Sequence, residues 1–179
     1  MKQLLKNYES IQTPQELSEF MSLLEYKWMD QNYTFHKELT PNMYTEFSLM
    51  TPQEVIENQC GICVDQVELE RDWFQKHNYQ YEVLNIQIFR QDSAPGHVFL
   101  IYLENNNWYW FENAWGEYQG IHSYPTKEKL IEDIKNKFIL QNNILTEELE
   151  NLKIMMFPKY PAHYSYQQMD DDIIQKKVI

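Results

Sequence analysis

The chain is poor in glycine, cysteine and arginine. Its 179 residues include four Gly, two Cys and 15 Lys plus Arg, and only Arg71 and Arg90 are arginine. Scarce arginine removes the planar, bidentate clamps that hold phosphate. A formal net charge of −12 repels nucleic-acid backbones and anionic lipid surfaces, so neither nucleic acid nor membrane is expected as a partner. No apolar run approaches the roughly 18 residues of a membrane span. The start, MKQLLKNYES, lacks the apolar core and small-residue cleavage site of a signal peptide. A cytoplasmic location is therefore expected, where Cys60 and Cys63 stay reduced. There is no low-complexity tract, and the repeated TPQE at 13 and 51 has unlike flanks.

What is abundant is aromatic: 15% of the chain is Phe, Trp or Tyr, which suits a Tyr- and Trp-rich core or cleft. The length fits a single domain, residues 1–179, burying about 70% of its unfolded surface. Thr13, Pro14 and Glu16 form a capping-box start, and Leu17, Phe20, Met21, Leu24 and Trp28 share the helical face that follows. Thr51, Pro52 and Glu54 repeat the box before a short helix, which Gly61 breaks. A second helix is expected from Ile62 or Cys63 to about His77. From Tyr81 the period changes to two. Strands are expected near 81–88, at 97–103 and at 108–113, with Gly116 and Gly120 ending the sheet. Thr126 starts a helix whose Leu130, Ile131, Ile134 and Phe138 face inward. Residues 141–153 read as helical, and the tail after Pro158, including 170-DDD-172, as irregular and solvated. Helices, then an antiparallel meander, then helices make an α+β pattern.

Both cysteines lie in 58-NQCGICVDQ-66, spaced C-x-x-C around a glycine. A redox dithiol needs this motif after a buried strand, yet a capped helix precedes it. A zinc site needs four ligands, and His36, His77, His97, His122 and His163 supply no H-x₃₋₅-H pair. A deaminase needs H-x-E upstream, which is missing. A nucleophilic thiol fits better. Cys63 stands at a helix start, where unpaired N–H groups and the helix dipole favour a thiolate; Cys60 precedes the glycine. Asp65 and Gln66 read as solvated helix residues.

Such a thiol needs an imidazole, and the imidazole needs an orienting acceptor. His97 begins a strand. If ENNN is the hairpin loop, Leu103 faces Trp108 and paired numbers sum to 211. Glu112 then becomes the diagonal neighbour of His97 on one face, about 7–8 Å away at Cα. A sum of 212 would place Asn113 there instead. Either can accept a hydrogen bond from imidazole.

The segments 61-GICVDQVELERDWFQKHNY-79 and 97-HVFLIYLENNNWYWFENAW-115 together resemble the transglutaminase-like superfamily, and more distantly the papain-like proteases. The resemblance covers about residues 55–120 and implies a papain-like α+β core at about 51–124. A central helix carrying Cys63 would pack on an antiparallel sheet, flanked by a helical segment at 1–50 and by C-terminal helices and a tail at 125–179. It implies Cys63 as nucleophile, His97 as base and Glu112 as orienter, where the superfamily usually has Asp. The papain-like mapping gives the orienting role to Asn113, shielded by Trp115. The implied chemistry is acyl transfer at an amide or peptide bond of a protein or peptide substrate through a thioester, without metal or cofactor. The Cys63 N–H would be one oxyanion donor, and a second would come from a side chain, Gln59 or, less favourably placed, Trp28. Hydrolysis is favoured over amine transfer; the alternatives are a transglutaminase or deamidase acting on glutamine side chains and, as the rival class, a protein-binding domain that keeps the triad unused.

Overall fold

Two threonines followed by proline start helices as the sequence predicts. The Glu16 N–H donates to Thr13 Oγ1 at 3.2 Å while Glu16 Oε2 accepts from the Thr13 N–H at 3.1 Å. Thr51 and Glu54 repeat the exchange at 3.2 and 2.8 Å. Each box satisfies donors that a helix start leaves open.

The computed structural model describes residues 2–176. Helix α1 (Lys2–Glu9) and α2 (Pro14–Met21) precede a two-residue strand pair, β1 (Trp28–Met29) and β2 (Phe35–His36). Next come α3 (Met43–Glu46), α4 (Pro52–Asn58) and α5 (Cys63–Lys76). The sheet strands are β3 (Gln80–Ile88), β4 (Gly96–Glu104), β5 (Asn107–Glu112), β6 (Gly120–Tyr124) and, after α6 (Lys127–Gln141), β7 (Leu152–Met156); α7 (Tyr166–Lys176) is last. The architecture is α+β, with a five-stranded antiparallel sheet in the order β6-β5-β4-β3-β7. Among the described residues no helix is long and apolar enough to cross a membrane.

The chain forms two compact units. One runs up to Leu69 and resumes at Lys159; the other is Glu70–Pro158. In the first, Leu17, Met21, Phe47 and Val55 are fully buried, and Phe47 stacks on Tyr166 with centroids 4.7 Å apart. In the second, alternation sorts the strands. Leu84, Ile86, Phe99, Ile101 and Trp110 join Leu130, Ile134 and Phe138 of α6 in one apolar cluster. Phe74, from the last turns of α5, packs 4.8 Å from Tyr102 and 5.5 Å from Phe111. The helix that begins with Cys63 is thus seated on the sheet through its C-terminal half.

Four expectations change. Helix α2 stops at Met21, so Trp28 belongs to β1, where its indole N–H donates to the Glu38 carbonyl at 2.9 Å. The sheet does not end at Gly116 and Gly120: Gly120 adopts φ +134 and opens β6. Residues 152 and 153, the end of the stretch expected as helix, instead open an edge strand, 152–156, that pairs with β3. The tail is irregular only as far as α7, which contains 170-DDD-172, and Asp170 accepts a hydrogen bond from the Tyr44 hydroxyl at 3.0 Å. Residues 177–179 of the expected tail lie outside the described residues.

Candidate active site

The start of α5 is built by its own side chains. Asp65 is the third helical residue, and its Oδ2 accepts from the Ile62 N–H at 3.1 Å while Oδ1 accepts from the Met50 N–H at 2.9 Å. The Gln66 side-chain amide donates to the Gly61 carbonyl at 2.7 Å. These two residues, expected in solvent, are almost wholly buried. They replace water as partners for the backbone just ahead of Cys63 and at Met50. Gly61 permits this closeness, because a Cβ there would lie 2.9 Å from the Asp65 Cβ. Burial pushes the Asp65 carboxyl up to about 7.

Cys63 opens the helix at 9% exposure, and Cys60 is at 2%. Both are free thiols. Burial, and after it the charge of Asp65, pushes the Cys60 thiol up to about 11, so Cys60 stays protonated at neutral pH. Gln59 forms the left-handed C-cap of α4 at φ 51 and ψ 38, with an exposed side chain. Its carbonyl accepts from the Glu25 N–H at 2.9 Å. The charge of Cys63, and after it burial, hold the Tyr26 phenol well above its ordinary range.

The second unit holds the other candidates. The β4–β5 hairpin pairs Leu103 with Trp108 and Ile101 with Trp110, the register of sum 211. Asn105 and Asn106 make its two-residue turn at φ 50 and 65, a left-handed pair that asparagine tolerates and that matches strand twist. In this register Glu112 Oε2 meets His97 Nε2 at 2.7 Å. The same oxygen accepts from the Trp110 indole N–H at 3.1 Å, and Oε1 accepts from the Trp115 backbone N–H at 2.7 Å. Glu112 is 2% exposed; a buried carboxylate needs such a set of donors. Asn113 is also buried, and its Oδ1 accepts from the Gln119 amide at 2.9 Å. Trp115 stands edge-on to His97, with ring centroids 5.1 Å apart. Its own indole N–H is buried, and among the described residues none hydrogen-bonds it.

The structure thus joins His97, Glu112 and Trp115 in one unit and places Cys63, Gln59 and Trp28 in the other. Sequence reasoning missed three contributors. Asp65 had a readable signal, an acid three residues after a helix N-cap. Trp110 sits two residues before Glu112 on the same strand face, which alternation would have found. Tyr26 had no periodic or motif signal at all. Among the described residues, no group of three or more His, Cys, Asp and Glu is placed to hold a metal ion.

A family model described as a transglutaminase-like domain matches residues 2–144. Curated proteins return no match. Among solved structures, the arylamine N-acetyltransferase NAT3 of Bacillus cereus, described as having a Cys-His-Glu catalytic triad, is similar at 13% identity and a TM-score of 0.40. The match covers 65% of this chain and 49% of that one, so this chain spans about half that enzyme's length. With four-fifths of its residues under the family model, the chain belongs to the transglutaminase-like domain family.

Proposed function

We propose that the chain is a cysteine-dependent acyl-transfer enzyme that hydrolyses an amide bond of a peptide or protein, with Cys63 as nucleophile, His97 as base and Glu112 as orienting carboxylate. The observation that carries this reading is the 2.7 Å bond from His97 Nε2 to the buried Glu112, covered by Trp115. A carboxylate on Nε2 fixes that nitrogen as the N–H and leaves Nδ1 as the basic one. Asn113, the other acceptor in reach of the sequence argument, is engaged by Gln119.

In the reaction, the Cys63 thiol gives its proton to His97 Nδ1. The sulfur forms a bond to the amide carbon, and the carbonyl π pair moves to oxygen. The backbone N–H at the start of α5 donates to that oxyanion. His97 then protonates the leaving nitrogen, the C–N bond breaks, and a thioester remains on Cys63. Water, deprotonated by His97, attacks the thioester carbon and releases the acid and the thiol.

The test is alkylation with iodoacetamide near pH 6, with the adduct located by peptide mass spectrometry. Cys63 should label rapidly and Cys60 should not. His97→Ala should abolish the fast phase. Equal, slow labelling of both cysteines would overturn the proposal and favour a binding domain that keeps the triad unused.

A further inference from the structure

Glu112 meets one donor more than its orientation requires. Oε1 accepts from the Trp115 backbone N–H at 2.7 Å and Oε2 from His97 Nε2 at 2.7 Å, so both ends of the carboxylate are already held. The third donor, the Trp110 indole N–H at 3.1 Å, falls on Oε2, the oxygen that faces the imidazole. The strand puts it there. Trp110 and Glu112 are two residues apart on β5 and share a face. In the ladder Trp110 pairs with Ile101 on one side and His122 on the other. Its ring is wholly buried, with the His122 ring tilted across it at 4.9 Å and Trp115 at 6.0 Å. The indole is thus fixed, and its N–H is aimed before any reaction begins. The titratable groups packed around this set are His122 from β6, whose Nε2 bonds the Tyr118 carbonyl at 2.6 Å, and, from α6, Lys137 over the Tyr118 ring at 5.1 Å with its ion-pair partner Asp133. On β3 the residue opposite His97 is the apolar Ile86.

We propose that Trp110 is a positioning residue of the acyl-transfer reaction: by sharing Glu112 Oε2 with His97, its N–H keeps the imidazole a base instead of a fixed cation. The inference rests on His97 being the base of the proposed reaction. Two donors on one oxygen oppose each other, because each draws on the same negative charge. With His97 neutral, the carboxylate charge is unbalanced and the indole bond is at its strongest. With His97 protonated, the imidazolium takes up much of that charge and the indole bond weakens. Trp110 therefore stabilises the neutral imidazole more than the imidazolium. His97 must alternate between the two states: it takes a proton from the thiol, gives it to the leaving nitrogen and takes another from water. A carboxylate facing His97 alone would hold the imidazolium firmly and slow every step that needs the neutral ring or releases the proton. If Trp110 served only as core filling, its ring would matter and its N–H would not.

A pH profile separates the two roles. The full chain is acylated with 4-nitrophenyl acetate; 4-nitrophenolate leaves and acetyl-Cys63 remains, identified by mass. The sulfur is then uncharged. Hydrolysis of the thioester needs neutral His97, so its rate falls on the acid side as His97 takes up a proton. In Trp110→Phe the midpoint of that acid limb should move up by about 0.5–1 pH unit, which slows hydrolysis on the limb roughly threefold to tenfold relative to the variant's own plateau. A nitrogen-15 NMR titration of the histidines should move His97 by the same amount, while His36 and His77, stacked on Trp28 and Trp73, stay in place. An unmoved midpoint, even with a lower plateau, would reduce Trp110 to core packing and overturn the proposal. A midpoint that moves down would mean that the indole tightens the grip on the imidazolium, and would overturn it too. A wild type that forms no acetyl-Cys63 would instead remove the nucleophile assignment, and the NMR titration then decides the role of Trp110 by itself. If the phenylalanine variant does not fold, benzothienylalanine at 110, a side chain of indole shape without the N–H, should give the same upward shift; an unshifted midpoint overturns the proposal.

Discussion

Glu112 and Asp65 are two buried carboxylates with opposite consequences. Glu112 meets three donors, one of them His97. In Glu112→Gln the amide NH₂ facing His97 would favour the wrong imidazole tautomer, and acylation of Cys63 should fall by roughly 10²–10⁴ with the melting temperature little changed. A variant that retained its rate would remove Glu112 from the mechanism. Asp65 meets two backbone donors, yet burial prevails and raises its carboxyl from 3.8 to about 7. The folded state then holds more protons than the unfolded state between those values. Its contribution to stability is present at the acid end of that window and is lost as pH rises from about 4 to about 7, at about 1.4 kcal/mol per unit. Denaturant titrations across this range should show that loss in the wild type and a flatter profile in Asp65→Asn. An identical slope in both would assign it to other groups. The contact of His97 with Glu112 and the helix start at Cys63 were legible because alternation and motif carry them. The sequence hid the burial of Asp65 and Gln66, because a polar residue on a first helical turn looks alike whether it faces water or caps its own backbone.

At the scale of elements, the β4–β5 turn decides what His97 meets. Strand side chains alternate, so one residue inserted between Asn105 and Asn106 that slips the register sends Glu112 to the other face. Such an insertion should abolish fast alkylation at pH 6 while far-ultraviolet circular dichroism keeps its sheet signal. Retained reactivity would mean that the register does not set the site. Replacing Asn106 with Gly keeps the left-handed turn and should leave activity intact. Both capping boxes were legible because each is local, with donors and acceptors within a few positions of one another; the register was narrowed to the sums 211 and 212, and the two-residue turn at Asn105 and Asn106 selects 211. The edge strands β6 and β7 were not. Each is five residues long, and pairing with a distant strand, rather than local pattern, determines that 152–156 is extended. Likewise α2 ends at Met21 while its apolar spacing continues to Trp28, because the chain turns there and the Glu25 N–H bonds the distant Gln59 carbonyl.

For the whole molecule, a net charge of −12 sets a field that any substrate must cross. Of two activated aryl esters matched in intrinsic reactivity, a cationic one should acylate Cys63 faster than an anionic one at low ionic strength. The ratio should shrink toward one as salt brings the Debye length from about 30 Å to about 3 Å. A salt-independent ratio would mean that local charges at the site prevail over the total. The bond between the Trp110 indole and Glu112 has an optical consequence as well. An excited indole is sensitive to a carboxylate held on its N–H, so the emission of Trp110 reports whether Glu112 and its donors remain engaged. The difference in fluorescence between the wild type and Trp110→Phe thus gives the protein a built-in dye, readable during turnover and without a label.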